Sequence, residues 1–470
     1  MFMEFVGQAA DSHAVDIASL EVELMAKLEA AAQAAAVQQN TSTPPCPITI
    51  AEVGELTRGV EPRHVSIGPY SRRKNLKLAK DDEKAAILGS VLSAASAGTT
   101  LRMCLDEMAG LENRARDCYA DRFEDNTMPR KDFVSMLLLD GAYVLFRFVR
   151  VPSGSGLNAR TANGHVLRGG SAPSASAAAS GDQRQDVAVV HDVFYLAENQ
   201  IPFFVVDKIH RLVVDDNGIT AAAKIADYVR ELLQTHYSVV TPDVAEPPGP
   251  GNLLHLVHMH FKPAAVGPPS TGEPVRRWRR ATEYHFAGVK FKGRPLGTNG
   301  AQCILDVKLG RSGGTLEVPH LNIDGETWPL LRNLMALEQR NPDVTGTHVT
   351  AYCVFMSQVA CMAEDVALLS RRGIIAHGLG NDGEVADFFA DLCKDVVFTV
   401  DDAASNYLRA TCQELEKKFQ SKWGRWAAWL LQKYFSNPWL AVGLAAAAVG
   451  VACAVVQAVY SVLGYRQGAH

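Results

Sequence analysis

The stretch GIIAHGLGNDGEVADFF sets Gly378, Gly380 and Gly383 in the order G-x-G-x-x-G, between a short apolar run and a helical pattern. Glycines so spaced let a backbone approach a pyrophosphate. Asp401 follows about 20 residues on, where a dinucleotide site carries the acid that holds a ribose. The alternative is a loop followed by a helix whose first turn is capped by Asn381, with Glu384 completing the cap. Capping is the preferred reading. The first strand would be very short, and the residues between Asp401 and the C-terminal apolar run read as helix, leaving no room for further strands.

LLHLVHMHF offers His255, His258 and His260. On a strand the last two share a face and have the right donors for zinc. A closed zinc site takes roughly three or four ligands, and no Asp, Glu or Cys nearby completes the set, so core or loop histidines are preferred. RRWRR (276–280) sets arginines around Trp278, a grouping that stacks on bases or holds phosphates. With 46 basic against 51 acidic residues there is no global grip on nucleic acid, and a solvated, lipid-facing or acid-facing patch is preferred. No G-x-S-x-G elbow is present. Glu364 and Asp365 are adjacent, so on a helix they point in different directions. Nine cysteines without a C-x-x-C pair fit single buried thiols in a reducing compartment better than a disulfide framework. No acid, base and nucleophile set emerges, so no catalytic residue, metal or cofactor is expected.

Glu198, Asn199 and Gln200 interrupt the apolar run LAENQIPFFVV (196–206), and buried polar side chains are costly unless partnered. Helical spacing on both sides, and Pro202 suited to a first turn, make the triplet a buried corner between two helices. Asn199 is expected to cap the second helix, a role worth about 1 kcal/mol, and Glu198 to favour its positive end. One arrangement would favour catalysis instead: Asp140, Glu198, Asn199, Gln200, Glu283, Asp306 and Arg332 converging on an open cleft. If each served backbone, that case would weaken.

The elements that must position these residues are mostly helical. Ile17 to Val37 carries an apolar stripe on strong helix formers, and Thr41 to Pro47 breaks it. Helical patterns follow over Lys80 to Tyr119 and over Phe133 to Val149, the latter apolar nearly all round as in a buried helix. Residues 152–182 are rich in Ser, Gly and Ala and read as a disordered insertion within one domain. Further breaks fall at 241–251 and 263–274. AGVKFK, ILDVKL and TLEVPHLNID alternate as strands of a small sheet. Helices resume with WPLLRNLMALEQ and over Thr350 to Arg372, stopped by Gly373.

From Trp439 to Tyr465 about 27 residues carry no charge, enough to cross a ~30 Å hydrocarbon layer. Trp439, Tyr460 and Tyr465 are placed as membrane-anchoring aromatic residues. Lys417, Lys418, Lys422, Arg425 and Lys433 precede the run and only Arg466 follows it, which puts the N-terminal bulk in the cytosol. Phe419, Trp423, Trp426 and Leu430 share one face of an amphipathic helix suited to an anionic membrane surface. No secretory signal opens the chain.

The ordered stretches VSIGPY (65–70), MLLLDGAYVLFRF (136–148), AENQIPFFVV (197–206) and ATEYHFAGVKF (281–291) are similar to a plant family. The series continues with residues 304–339, AEDVALLSRRGII (363–375) and EVADFFADLCKDV (384–396), and ends in the hydrophobic tail. Together they resemble the family known as DUF247, or UPF0481. The resemblance implies a single-pass, membrane-associated plant protein without an agreed activity, some grass members being linked to self-incompatibility. The expected fold is mainly α with a small β element (α+β): a helical soluble body plus a C-terminal transmembrane helix. Its parts are an N-terminal helical extension (1–45), a DUF247-like helical domain (46–410), a juxtamembrane amphipathic helix (411–437), a transmembrane helix (438–465) and a short tail (466–470). The expected partners are the lipid bilayer, at the plasma membrane or endoplasmic reticulum, and an unidentified protein, with no nucleic acid. The expected role is non-enzymatic interaction or signalling; the alternative is a tethered enzyme or nucleotide-binding protein using the GLGNDG loop.

Overall fold

Pro129 ends an irregular stretch and a helix begins at once, with Asp132 in its first turn. It runs Arg130–Phe148 and is buried on nearly every side, as its apolar composition requires. In the computed structural model the described residues are 48–54, 61–95, 98–121, 123–124, 126–149, 186–214, 219–237, 249–264, 274, 278–297, 300–310, 314–421 and 438–467. The chain divides between Cys46 and Pro47, and all of these belong to the second unit. The expected helix over Ile17 to Val37, the insertion 152–182 and residues 422–437 lie outside the described residues.

In chain order the helices before the strands are α1 (Gly68–Lys74), α2 (Asp81–Ser93), α3 (Leu101–Arg116), α4 (Arg130–Phe148), α5 (Phe203–Val213), α6 (Ala221–Tyr237), α7 (Leu253–His258) and α8 (Ala281–Phe286). Helix 186–190 passes into a π-helical turn, His191–Tyr195, before the corner that leads to α5. Strands β1 (Lys290–Arg294), β2 (Lys308–Leu309), β3 (Thr315–Pro319) and β4 (Leu321–Ile323) come next. They are followed by α9 (Thr327–Arg340), α10 (Pro342–Thr345), α11 (His348–Val359), α12 (Ala363–Arg371), β5 (Ile375–His377), α13 (Asp382–Leu392), α14 (Arg409–Gln420) and α15 (Pro438–Gln467).

The body is mainly helical with a small sheet element, as the sequence pattern requires. α4 packs against α2, α3 and α5. Gly141 makes the last contact close: a Cβ there would stand 2.5 Å from the Ile209 Cδ1 of α5. α5 meets it with Val205, Val206, Ile209 and Val213, one apolar stripe. In the second half α9 is buried along most of its length and packs on α7, α11 and α13. β1 pairs in parallel with β3, and β2 runs antiparallel to β3, giving the order β1-β3-β2. β4 and β5 form a separate parallel pair.

One helical region is resolved into its parts, and one helical expectation is revised. The pattern over Lys80 to Tyr119 is two helices, parted near Gly98, whose φ of 116° no other residue type adopts readily. That over Thr350 to Arg372 is also two, α11 and α12, meeting at 107°. Apolar spacing continues through the break at Ala360, which is why periodicity alone joins them. The stop at Gly373 is as expected, with φ 70°.

Among the described residues seven cysteines are free: Cys104, Cys303, Cys353, Cys361, Cys393, Cys412 and Cys453. Cys118 is disulfide-bonded, which departs from the expectation of single thiols throughout; its partner lies outside the described residues. α15 is a helix of 30 residues, and its continuously described side chains, Ala446–Tyr460, are exposed and, apart from Gln457, apolar. That stretch spans about 22 Å, less than a ~30 Å hydrocarbon layer. Among the described residues no single helix is long and apolar enough to cross a membrane. The bent pair α11–α12 is apolar too, but Tyr352, Phe355, Val366 and Leu369 place it in the core.

Candidate functional site

Residues 63–68 have no regular structure until α1 begins, yet from Val65 onward they are buried. Buried amides must find partners away from water. Here each does. The Asp192 carboxylate accepts the N–H groups of Arg63, His64 and Val65 at 2.6–2.9 Å. Ser66 N–H donates to the Leu78 carbonyl, Ile67 N–H to Asn199 Oδ1 at 2.6 Å, and Gly68 N–H to Asp140 Oδ2 at 2.8 Å. Carbonyls are met as well: Asn199 Nδ2 donates to Val65 O and Asp192 O, and Lys84 Nζ donates to Ser66 O at 2.7 Å. Lys84 and Asp140, both fully buried, are joined at 2.5 Å. Burial lifts the Asp192 carboxyl above its usual range against the three amides that pull it down.

The Glu-Asn-Gln corner is the hub of this node. Gln200 Nε2 donates to Val193 O and Leu196 O, while its Oε1 accepts the first amides of α7, Leu253 and Leu254. Its carbonyl receives the Tyr119 hydroxyl and lies so near Gly68 that a Cβ there would stand 2.2 Å away. With φ 75° as well, Gly68 is fixed twice over. Glu198 accepts Val53 N–H at 2.6 Å and Gly54 N–H, and pairs with Lys74. The corner is where the sequence places it, but the capping detail is corrected. Asn199 does not cap α5, whose N-cap is Pro202 without a side-chain bond, and Glu198 does not serve its first turn. Their reach is long-range, to segments that sequence spacing does not reveal.

The seven polar residues whose convergence would have favoured catalysis each bond to backbone. Beyond the four above, Glu283 accepts Arg280 N–H, Asp306 accepts the amides of Ala264, Gln302 and Cys303, and Arg332 donates to Leu392 O. A second node lies on α9: buried Glu338 accepts Val349 N–H, Thr350 N–H, the Thr350 hydroxyl and His258 Nε2. Sequence reasoning missed Lys84, Asp192, Asn333, Glu338 and Asn341, all buried polar residues bonding over long sequence separations. Polar residues set against apolar neighbours were the available signal, as at Asp192 in HDVF and Glu338 in MALEQ.

The remaining candidates are dispersed. His255, His258 and His260 lie on and just after helix α7, not on a strand. Gly251 N–H donates to His255 Nδ1, His258 is held by Glu338, and among the described residues no group of His, Cys, Asp or Glu is placed to hold a metal. In the glycine loop, Gly380 N–H already donates to Glu384 and Asn381 Oδ1 accepts Glu384 N–H at 3.1 Å, the capping arrangement. Gly378 N–H turns to Ile323 O, while Gly383 lies in the first turn of α13. β5 before them has three residues, and Asp401 pairs with Arg409. Of RRWRR, Trp278 is buried, and Arg279 forms two bonds to Glu416 while lying 3.7 Å from the Phe419 ring centroid. Phe419 is half-buried and packs in part against the body. Lys417 pairs with Glu414, and Lys418 lies in the last turn of α14; Lys422, Arg425 and Lys433 lie outside the described residues. Asp365 accepts the Thr282 amide and hydroxyl. Tyr460 is exposed, and Trp439 and Tyr465 lie within α15. At the surface, Trp328, Asp387, Phe388, Ala390, Asp391 and Lys394 line a groove of about 640 Å³.

The fold and its nodes define a class first: an α-helical body with a small sheet element, in which buried side chains fix irregular backbone. Residues 51–453 match DUF247, described as a plant protein of unknown function, and the chain belongs to that family. It is 24% identical over 430 residues to a UPF0481 protein of Arabidopsis thaliana, covering 87% of this chain and 84% of that one. A putative UPF0481 protein of the same plant is 28% identical over 167 residues, 35% of this chain and 30% of that one. No solved structure matches the chain.

Two outcomes follow. Asn199→Ala removes three buried bonds and should cost on the order of 3 kcal/mol in denaturant unfolding, well above a lost helix cap; Gly68→Ala should destabilise comparably through its clash and φ. Burial pushes His255 and His260 down to about 4. Unfolded histidine titrates near ~6.5, so between about pH 6.5 and 4 the unfolded chain binds protons the folded chain refuses. Stability is complete above that window and falls as pH drops through it. Unfolding free energies across the range should show this slope, flattened in His255→Gln.

Proposed function

We propose that the protein is a membrane-tethered interaction protein, with the helical body as a binding module and α15 as its anchor. The observation that carries the reading is α15 itself: along Ala446–Tyr460 it exposes apolar side chains such as Val449, Val451, Val455, Val456 and Val459 on several faces. So much contiguous apolar surface is costly in water and calls for a partner. The uncharged sequence extends beyond it to Trp439 and Tyr465, a length suited to a bilayer. A non-enzymatic role draws support from the polar motif residues, whose donors and acceptors serve backbone.

Two observations bear on sidedness, and they oppose each other. The basic residues before α15 favour a cytosolic body. The disulfide at Cys118 favours an oxidising compartment. The cytosolic reading is adopted because charge asymmetry acts directly on insertion. The chain should stay with membranes through alkaline carbonate extraction, and truncation before Pro438 should release it; extraction of the full chain would overturn the anchor. Protease added to sealed microsomes should digest the body, and full protection would reverse its side.

A further inference from the structure

Asp387 and Asp391 lie one turn apart on the exposed face of α13. Like charges at this spacing repel one another. Neither makes a salt bridge among the described residues, and buried Arg332, which feels Asp391, already spends a donor on Leu392 O. Exposed Asp395 follows, and Lys394 bounds the acidic stretch. The same groove has an apolar floor. Trp328, at the start of α9, and Phe388 are only half-buried, and exposed Ala390 completes the apolar lining. Val397, three residues beyond Lys394, is 82% exposed.

Aromatic faces attract cations, and the alkyl stem of Lys or Arg covers apolar surface while its head reaches a carboxylate. We propose that this groove docks a basic peptide segment of a partner protein, one that sets Lys or Arg beside an apolar side chain. Charge complementarity selects this occupant: an acidic segment would meet two carboxylates in the lining, Asp387 and Asp391, against the single Lys394. The proposal rests on the body being an interaction module and names the surface and partner chemistry.

The test uses the full chain in neutral detergent micelles and anisotropy of a labelled Leu-Arg-Leu-Arg-Leu-Lys peptide. The basic peptide should bind saturably and more weakly as salt rises, while its counterpart with Glu at each basic position should not bind. The D387N/D391N variant, altered only at exposed positions, and W328A should each weaken binding about ten-fold. Equal binding of both peptides, or unchanged affinity in the folded D387N/D391N protein, would overturn the groove. Proximity labelling in native tissue separates this claim from the broader one. A labelled set unchanged by D387N/D391N overturns the groove while the interaction reading stands; no set above background for either chain overturns both.

Discussion

The body depends on a constraint that apolar packing cannot meet: an irregular segment enters the core at Val65, and the amides of residues 63–68 need partners as it does so. Helices and strands satisfy backbone internally, but such a segment must borrow partners. They come from distant parts of the chain: Asp192 before the corner, Asn199 within it and Asp140 on α4. Each tie is worth modest net stability, but removing a partner leaves a buried group unmet, which costs more than the bond contributes. The node therefore specifies where the segment runs as much as it stabilises it.

Lys84 and Asp140 are the costliest members. Two charges taken from water regain little unless geometry and further bonds are good. Here Asp140 also accepts Gly68 N–H, and Lys84 also donates to Ser66 O, so both charges have additional partners. Glu326 follows the same logic at the edge of the node: burial would raise its carboxyl, but bonds from His191 and Arg63 hold it down at about 2. Such commitments leave these side chains occupied within the fold, Lys84 and Asp140 with each other and with backbone, Glu326 with the His191 and Arg63 side chains, and that occupancy supports the proposed reading of the body as a scaffold.

Local features were legible in the sequence. The buried helix α4, the strands β1, β3 and β4, the Asn381–Glu384 cap and the stop at Gly373 follow from periodicity and capping chemistry, whereas ILDVKL is strand only at Lys308–Leu309. The ENQ corner was legible as a corner, but its partners were not. Asn199 reaches Ile67 across 132 positions, and nothing in spacing encodes that. The helical state of His255 and His258 was missed because a short apolar run fits strand or helix equally. The groove on α13 was invisible for a different reason: it needs Trp328 and α13 brought together by the packing of α9.

Hydrogen exchange of the amides of residues 64–68 tests the central claim most directly. The account predicts protection close to that of the amides within α4, and its loss at His64 and Val65 in Asp192→Ala with α4 still protected. Exchange of these amides in the wild-type protein as fast as in an open loop would contradict it.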